Sequence, residues 1–314
     1  MKRHSPEGLL LAFDFDNTQF RTSEMAPGIA SVPVAYEQTV ERMFGKMGLN
    51  LYLAQGGLRN RAPSEVVKAL VTGSSARNNA KLVNLAGEFA HQNLELLDGY
   101  VPVGKGYELD LTKPLTTEAL TEIFVRQKQR SMMPQIGMKL SEKDIWPRPC
   151  RGFVDFWKTV DDLKKEGVPI TTANISSGHE LFIEETFKKH GLSQPDIIVS
   201  EDDIRGVSSL DGKNIVKPSP FSLALAVRRW LDLPGFPHDD LDLSLIHEHA
   251  DKVIYFGDDP VKDGQMAVAG NVLFGNYQEV ATPPKGVNSF SFSNWHVLGQ
   301  ILRQKVGRKS VYTT

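Results

Sequence analysis

Apolar residues in this chain gather in short unbroken runs, and each run stops at a small, polar or acidic residue. Leu9–Phe13 precedes Asp14, and Val168–Thr172 precedes Ala173-Asn174. Asp196–Val199 precedes Ser200-Glu201, Lys252–Phe256 precedes Gly257-Asp258, and Asn271–Phe274 precedes Gly275. Short apolar runs without alternation predict strands buried on both faces, as in a parallel sheet. Helical spacing separates them. Phe153, Phe156, Trp157, Val160 and Leu163 share one helix face, with Gly167 as a stop. His179–His190 predicts a helix ending at Gly191, and Ser219-Pro220 supplies an N-cap and first-turn proline for Phe221–Leu231. This alternation from residue 151 onward predicts an α/β fold, an open parallel sheet with right-handed crossovers.

The first strand stands far from that series. Between them, Tyr36–Met47, Pro63–Val71, Asn78–Leu97 and Thr116–Arg130 carry helical spacing, which predicts a mostly helical insertion after the first strand. Pro234–His249 is polar and predicts a loop, and Arg303, Lys305, Arg308 and Lys309 predict a short solvated basic tail.

The chain has 314 residues, enough for two domains or for one with a large insertion. At 40% hydrophobic and 24% charged residues it has an ordinary globular composition, which excludes a disordered, collagen-like or disulfide-stapled chain. Thirty-six basic residues against 38 acidic ones leave a formal charge of −2, with no general pull toward nucleic acid or anionic lipid. The single cysteine, Cys150, can form neither an internal disulfide nor a multi-cysteine zinc site, so a reducing compartment is expected. Lys2-Arg3 is followed by too short an apolar run for a signal peptide, and no stretch reaches the roughly 20 apolar residues of a membrane span. The expected location is the cytoplasm.

Four motifs carry candidate chemistry. Asp14-Phe15-Asp16-Asn17-Thr18 follows a buried strand, where two carboxylates at i and i+2 can converge on one ligand; it also reads as an Asx-rich turn. Gly257-Asp258-Asp259-Pro260-Val261-Lys262-Asp263 sets three carboxylates after another strand, a hard-oxygen set suited to Mg²⁺, or simply an acidic helix start. Lys217-Pro218-Ser219-Pro220 places a lysine before a helix, where it can neutralise phosphate or carboxylate. Ile170–Ser177 offers hydroxyl and amide donors at a strand end.

Taken together and in this order, the motifs resemble those of the haloacid dehalogenase (HAD) superfamily of aspartate-nucleophile phosphohydrolases, over residues 9–22 and about 148–280. The layout is similar to the phosphoglycolate-phosphatase and β-phosphoglucomutase-like branch, with an enlarged helical cap. The resemblance implies a Rossmann-like catalytic core over residues 1–22 and 148–314 and a substrate-selecting cap over 23–147. It implies Asp14 as nucleophile, Asp16 as general acid/base, and Lys217 as the cation holding nucleophile and phosphate. It implies Mg²⁺ as cofactor on Asp14, Asp258 and the backbone carbonyl of Asp16, with Asp259 and Asp263 as further ligands or their supports. The substrate it implies is a small phosphorylated metabolite, hydrolysed through an aspartyl-phosphate. A carboxyl at Asp16 favours phosphatase or phosphomutase chemistry over the dehalogenase and cation-pump branches. Asn17 stands where the family has Gly, and Asn tolerates left-handed backbone. The second motif is open between Thr172 and Asn174 as the phosphate-binding donor. A phosphomutase, or a non-catalytic binding protein on the same scaffold, are the alternatives; the intact Asp14, Asp16, Lys217 and Asp258 set argues against the latter.

Gly99–Lys105 approaches a P-loop but continues into Gly106 rather than Ser or Thr. His238-Asp239-Asp240 and His247-Glu248-His249 read as exposed polar loop rather than a metal site. Arg59 and Arg61, in a glycine-containing loop of the insertion, are candidates for contacting an anionic group of the substrate.

Overall fold

The computed structural model describes residues 8–24, 32–58, 61–93, 111–132, 146–204, 215–233, 243–277 and 288–310. Among these residues, six strands form one sheet: β1 (Leu9–Phe13), β2 (Ile170–Ile175), β3 (Ile197–Val199), β4 (Val253–Gly257), β5 (Leu273–Tyr277) and β6 (Ser289–Phe292). Their order is β3-β2-β1-β4-β5-β6, and every neighbouring pair is parallel. Parallel neighbours need crossovers, and the crossover helices cover both faces.

The helices, in chain order, begin with α1 (Val32–Ala54), α2 (Pro63–Thr72), α3 (Ala76–Gln92) and α4 (Thr117–Met132), all inserted between β1 and β2. They continue with α5 (Phe153–Lys165), α6 (Glu180–Lys189), the one-turn α7 (Glu201–Ile204), α8 (Phe221–Trp230), α9 (Leu243–Glu248), α10 (Lys262–Gly270) and α11 (Trp295–Ser310). Alternation along β1 decides which face each residue serves. Leu11 and Phe13 pack with Phe153, Trp157, Phe187 and Trp295 on one face. Leu10 and Ala12 pack with Leu223, Ile246 and Met266 on the other. The inserted helices bury a separate apolar cluster that includes Val40, Phe44, Leu70, Leu82 and Phe124. Among the described residues, no helix is long and apolar enough to cross a membrane.

Three sequence expectations need correction. The second strand runs Ile170–Ile175, not Val168–Thr172, because its polar side chains find partners and do not end it. The polar stretch 234–249 contains α9, too short to show periodicity, which nonetheless buries Leu245 and Ile246. The basic tail is part of α11, preceded by the unanticipated β6. Arg303 pairs there with Glu166 at 2.9 Å, tying the helix to the end of α5. The P-loop-like Gly99–Lys105 run and His238–Asp240 lie outside the described residues.

Trp295, at the start of α11, is fully buried. Its ring lies 4.7–5.7 Å from those of Phe292, Phe156, Phe256 and Phe13, and its Nε1–H donates to the Thr18 carbonyl at 2.9 Å. Trp295→Ala is expected to lower unfolding free energy by about 3–5 kcal/mol in chemical denaturation. Trp295→Phe, which keeps an aromatic ring and loses the hydrogen bond, should cost clearly less. Equal losses from the two would show that the indole N–H, rather than the packing, holds this joint.

Candidate active site

Strand order places one crevice at a special position. From β1 the sheet grows toward β2 and β3 on one side and toward β4 on the other, so the carboxyl ends of β1 and β4 flank the point where the winding reverses. The Asp14 N–H donates to the Phe256 carbonyl at 2.7 Å, which locks the two ends together. Beyond β1 the chain turns sharply. Phe15 is buried against Phe20 and Phe182 and anchors the loop in the core. Asn17 adopts left-handed backbone with φ of 54°. Its amide oxygen accepts from the Ser23 N–H at 3.0 Å and the Ser23 hydroxyl at 2.7 Å. Asparagine therefore does here what glycine would do, with the side chain adding a local brace.

The turn presents Asp14, Asp16 and Thr18. Thr18 Oγ1 lies between Asp14 Oδ2 at 3.3 Å and Asp258 Oδ1 at 3.1 Å, bridging the ends of β1 and β4. Lys217, just ahead of α8, donates from Nζ to Asp14 Oδ1 and to Asp263 Oδ1, the latter at 3.0 Å. Asp263 is itself held from two sides: Tyr255 Oη donates to its Oδ1 at 2.8 Å and the Asp259 N–H to its Oδ2 at 3.2 Å. Gly257 makes this possible, because a Cβ there would come within 2.5 Å of the Asp263 carboxylate. Asp259 has a different task. Its Oδ1 accepts from the N–H groups of Val261 and Lys262 at 2.9 and 3.0 Å, capping the turn that leads into α10.

Burial and charge pull against each other in this cluster. Burial pushes the Asp14 carboxyl well up; Lys217 opposes the shift, while Asp263, Asp16 and Asp258 add to it. Burial also raises Asp16, against hydrogen bonds from Thr22 and Ser176 and the charge of Lys217. Burial, with Asp263 beside it, lifts Asp258 from 3.8 to about 6. Burial works against the Lys217 charge, but Asp14 and Asp263 outweigh it and raise the lysine above its usual range. Among the described residues, Lys217 is thus the cation that faces these carboxylates. Asp14, Asp258 and Asp263 bring ligand oxygens within 4.8 Å of one another. All are hard oxygen donors, the set that suits a Mg²⁺-class ion. Asp263 is already engaged by Lys217 and Tyr255, so Asp14 and Asp258 are the pair such an ion would take.

The structure thus brings Asp14, Asp258, Asp263 and Lys217 together, with Asp16 beside them. It does not bring in Thr172 or Asn174, which corrects the expected phosphate donors. Thr172 Oγ1 bonds Asp196 Oδ2 at 2.9 Å and receives Lys164 Nζ at 3.2 Å. Asn174 is fully buried and donates to Gln19 Oε1 at 2.7 Å. The hydroxyl at the strand's true end is Ser176, 3.5 Å from Asp16 Oδ2. Its sequence signal was its place directly after Ile175, the last apolar residue of the strand. Ser176 belongs to the Ile170–Ser177 donor run, whereas Tyr255 and Thr22 carry no such signal in the sequence. Arg59 lies outside the described residues. Arg61 is exposed, and its carbonyl accepts from Tyr36 Oη at 3.4 Å.

No family model and no curated protein matches this sequence. Solved structures similar to it include hydrolases of the HAD superfamily. One is a 2-haloacid dehalogenase of Pseudomonas syringae, with 13% identity over 95% of this chain and 99% of that one, TM-score 0.46. Another is a predicted phosphoglycolate phosphatase of Haemophilus somnus, with 13% identity over 94% and 98%, TM-score 0.43. A third is the magnesium-bound HAD-hydrolase YfnB of Bacillus subtilis, with 14% identity over 94% and 99%, TM-score 0.39. What this chain can do is read from its own side chains.

Asp258 takes up its proton more readily folded than unfolded, so its contribution to stability falls as pH rises from about 4 through about 6 and stays low above that. With EDTA present, Asp258→Asn should therefore raise Tm near pH 7.5, and the gain should shrink toward about pH 5. A lower Tm for the variant near pH 7.5 would contradict a repulsive cluster.

Proposed function

We propose that this chain is a HAD-type phosphohydrolase that cleaves a small phosphomonoester in two steps through Asp14. The observation that supports this most is the placement of Lys217 Nζ on Asp14 Oδ1, braced by Asp263, with Asp258 reaching the other Asp14 oxygen through Thr18. Lys217 opposes the upward push that burial gives the Asp14 carboxyl, which favours its ionised form, and fixes its orientation toward an approaching phosphate.

In the first step Asp14 Oδ2 attacks phosphorus. The bond to the leaving oxygen breaks, and Asp16, entering as the neutral acid, protonates that oxygen. In the second step Asp16, now a carboxylate, takes a proton from water as the water attacks the phosphoryl group, which leaves Asp14 as inorganic phosphate. Burial raises the Asp16 pKa, as an acid working near neutrality needs. Ser176 and Thr22 hold the Asp16 carboxyl in place. Lys217 neutralises the charge spread over the phosphoryl oxygens. A divalent ion on Asp14, Asp258 and the Asp16 carbonyl would supply further neutralisation when bound. The inserted helices would close over the crevice and keep out bulk water.

Phosphate release should be measured over a panel of small phosphomonoesters, with and without EDTA. Activity is expected to require a divalent ion and to vanish in Asp14→Asn. Lys217→Ala should lose about 10²-fold or more, and Asp16→Asn about 10²–10⁴-fold. Substantial EDTA-insensitive turnover by Asp14→Asn would overturn the proposal.

A further inference from the structure

Helix α4 carries four polar residues in succession, Arg126, Gln127, Lys128 and Gln129, none more than 7% exposed. Lys128 is the extreme case. It has no solvent exposure, lies 4.4 Å over the ring of Tyr36 from α1, and forms an ion pair with Glu201, itself buried. Tyr36 Oη donates to the other Glu201 oxygen at 2.5 Å. Tyr36 and Lys128 belong to the inserted helices, whereas Glu201 opens α7 directly after β3 in the core. Beside them, Ala62 at the start of α2 packs on Ile204, Ile215 and Phe221 of the core. Desolvating two charges is costly, and apolar residues would join two surfaces with less penalty. A buried pair at this joint therefore points to a need for orientation.

The core side of the pair leads to the site through consecutive hydrogen bonds. The Glu201 N–H donates to the Gly178 carbonyl at 3.0 Å, and the Gly178 N–H donates to Ser176 Oγ at 2.9 Å. Ser176 Oγ reaches Asp16 Oδ2 at 3.5 Å, and the Ser176 N–H is held by the Val199 carbonyl at 3.0 Å. One continuous path thus runs from an inserted helix to Asp16.

We propose that Lys128 and Glu201 are positioning residues: seating the inserted helices on the core sets Glu201, which sets the Ser176–Gly178 turn and so the Asp16 carboxyl. This rests on the reading of Asp16 as acid/base. When the helices lift, Glu201 loses its cation and the turn loses its brace, so chemistry is coupled to closure.

The test uses the full chain with Lys128→Met, Glu201→Gln, and the two combined, which removes both charges and keeps the fold should either single variant fail. Glu201→Gln should lower kcat roughly 10- to 100-fold while moving KM less than about threefold. In a Ser176→Ala background the same change should have almost no further effect, since the path is already cut. Independent multiplied losses would overturn the proposal. Amide hydrogen exchange at residues 176–178, read without any substrate, should quicken in the folded double variant, and unchanged exchange there would also overturn it. If wild-type protein releases no phosphate from any ester, the phosphohydrolase reading fails alone, because the exchange measurement still decides the link from Lys128 to Ser176.

Discussion

Carboxylates gathered at the end of a buried sheet repel one another, and the contact of Lys217 with Asp14 and Asp263 answers that repulsion. At an effective dielectric of about 20, two like charges about 4 Å apart oppose each other by about 4 kcal/mol. The surrounding structure is arranged to hold the lysine in place. Asp263 draws it in, Tyr255 and the Asp259 N–H hold Asp263, and the missing side chain of Gly257 leaves room for that carboxylate. Burial is the main reason that Asp14, Asp16 and Asp258 keep raised pKa values, and the neighbouring carboxylates, which outnumber Lys217, add to it. Their excess negative charge is an attraction for a divalent ion.

The loop bearing Asp14 and Asp16 is stiffened from the core side. The Trp295 indole holds the Thr18 carbonyl, and Cys150 donates its thiol to the Asn17 carbonyl at 3.3 Å. Burial pushes that thiol up to about 12, so it stays protonated and serves as a donor rather than a nucleophile. The aromatic layer on this face is therefore more than packing. It carries the backbone that aims the carboxylates.

Among the described residues, the inserted helices have their own apolar cluster and meet the core at Ala35, at Ala62 and at a buried charged pair. A buried charged pair makes such a joint specific in geometry.

Much of this was legible in sequence because it is local. The run Leu9–Phe13 matched its strand residue for residue, since a short apolar run ending in Asp admits few other readings. Asp14, Asp16, Lys217 and Asp258 stood out through the order of their motifs along the chain, which together resemble those of one family. What periodicity could not supply was partnership. Strand β2 continues through Thr172 and Asn174 because Asp196 and Gln19 satisfy them, and that moves its working end to Ser176. Helix α9 and strand β6 are too short to show a period, and Lys128 and Glu201 lie 73 positions apart in the chain. Most elements and the acids at their ends could be read along the chain, because hydrophobic periodicity and turn chemistry act over a few residues. The tertiary structure alone decided which hydroxyl faces Asp16, which aspartate braces Lys217 and which buried lysine joins helices to core, because a polar side chain's role depends on the partner that folding brings to it.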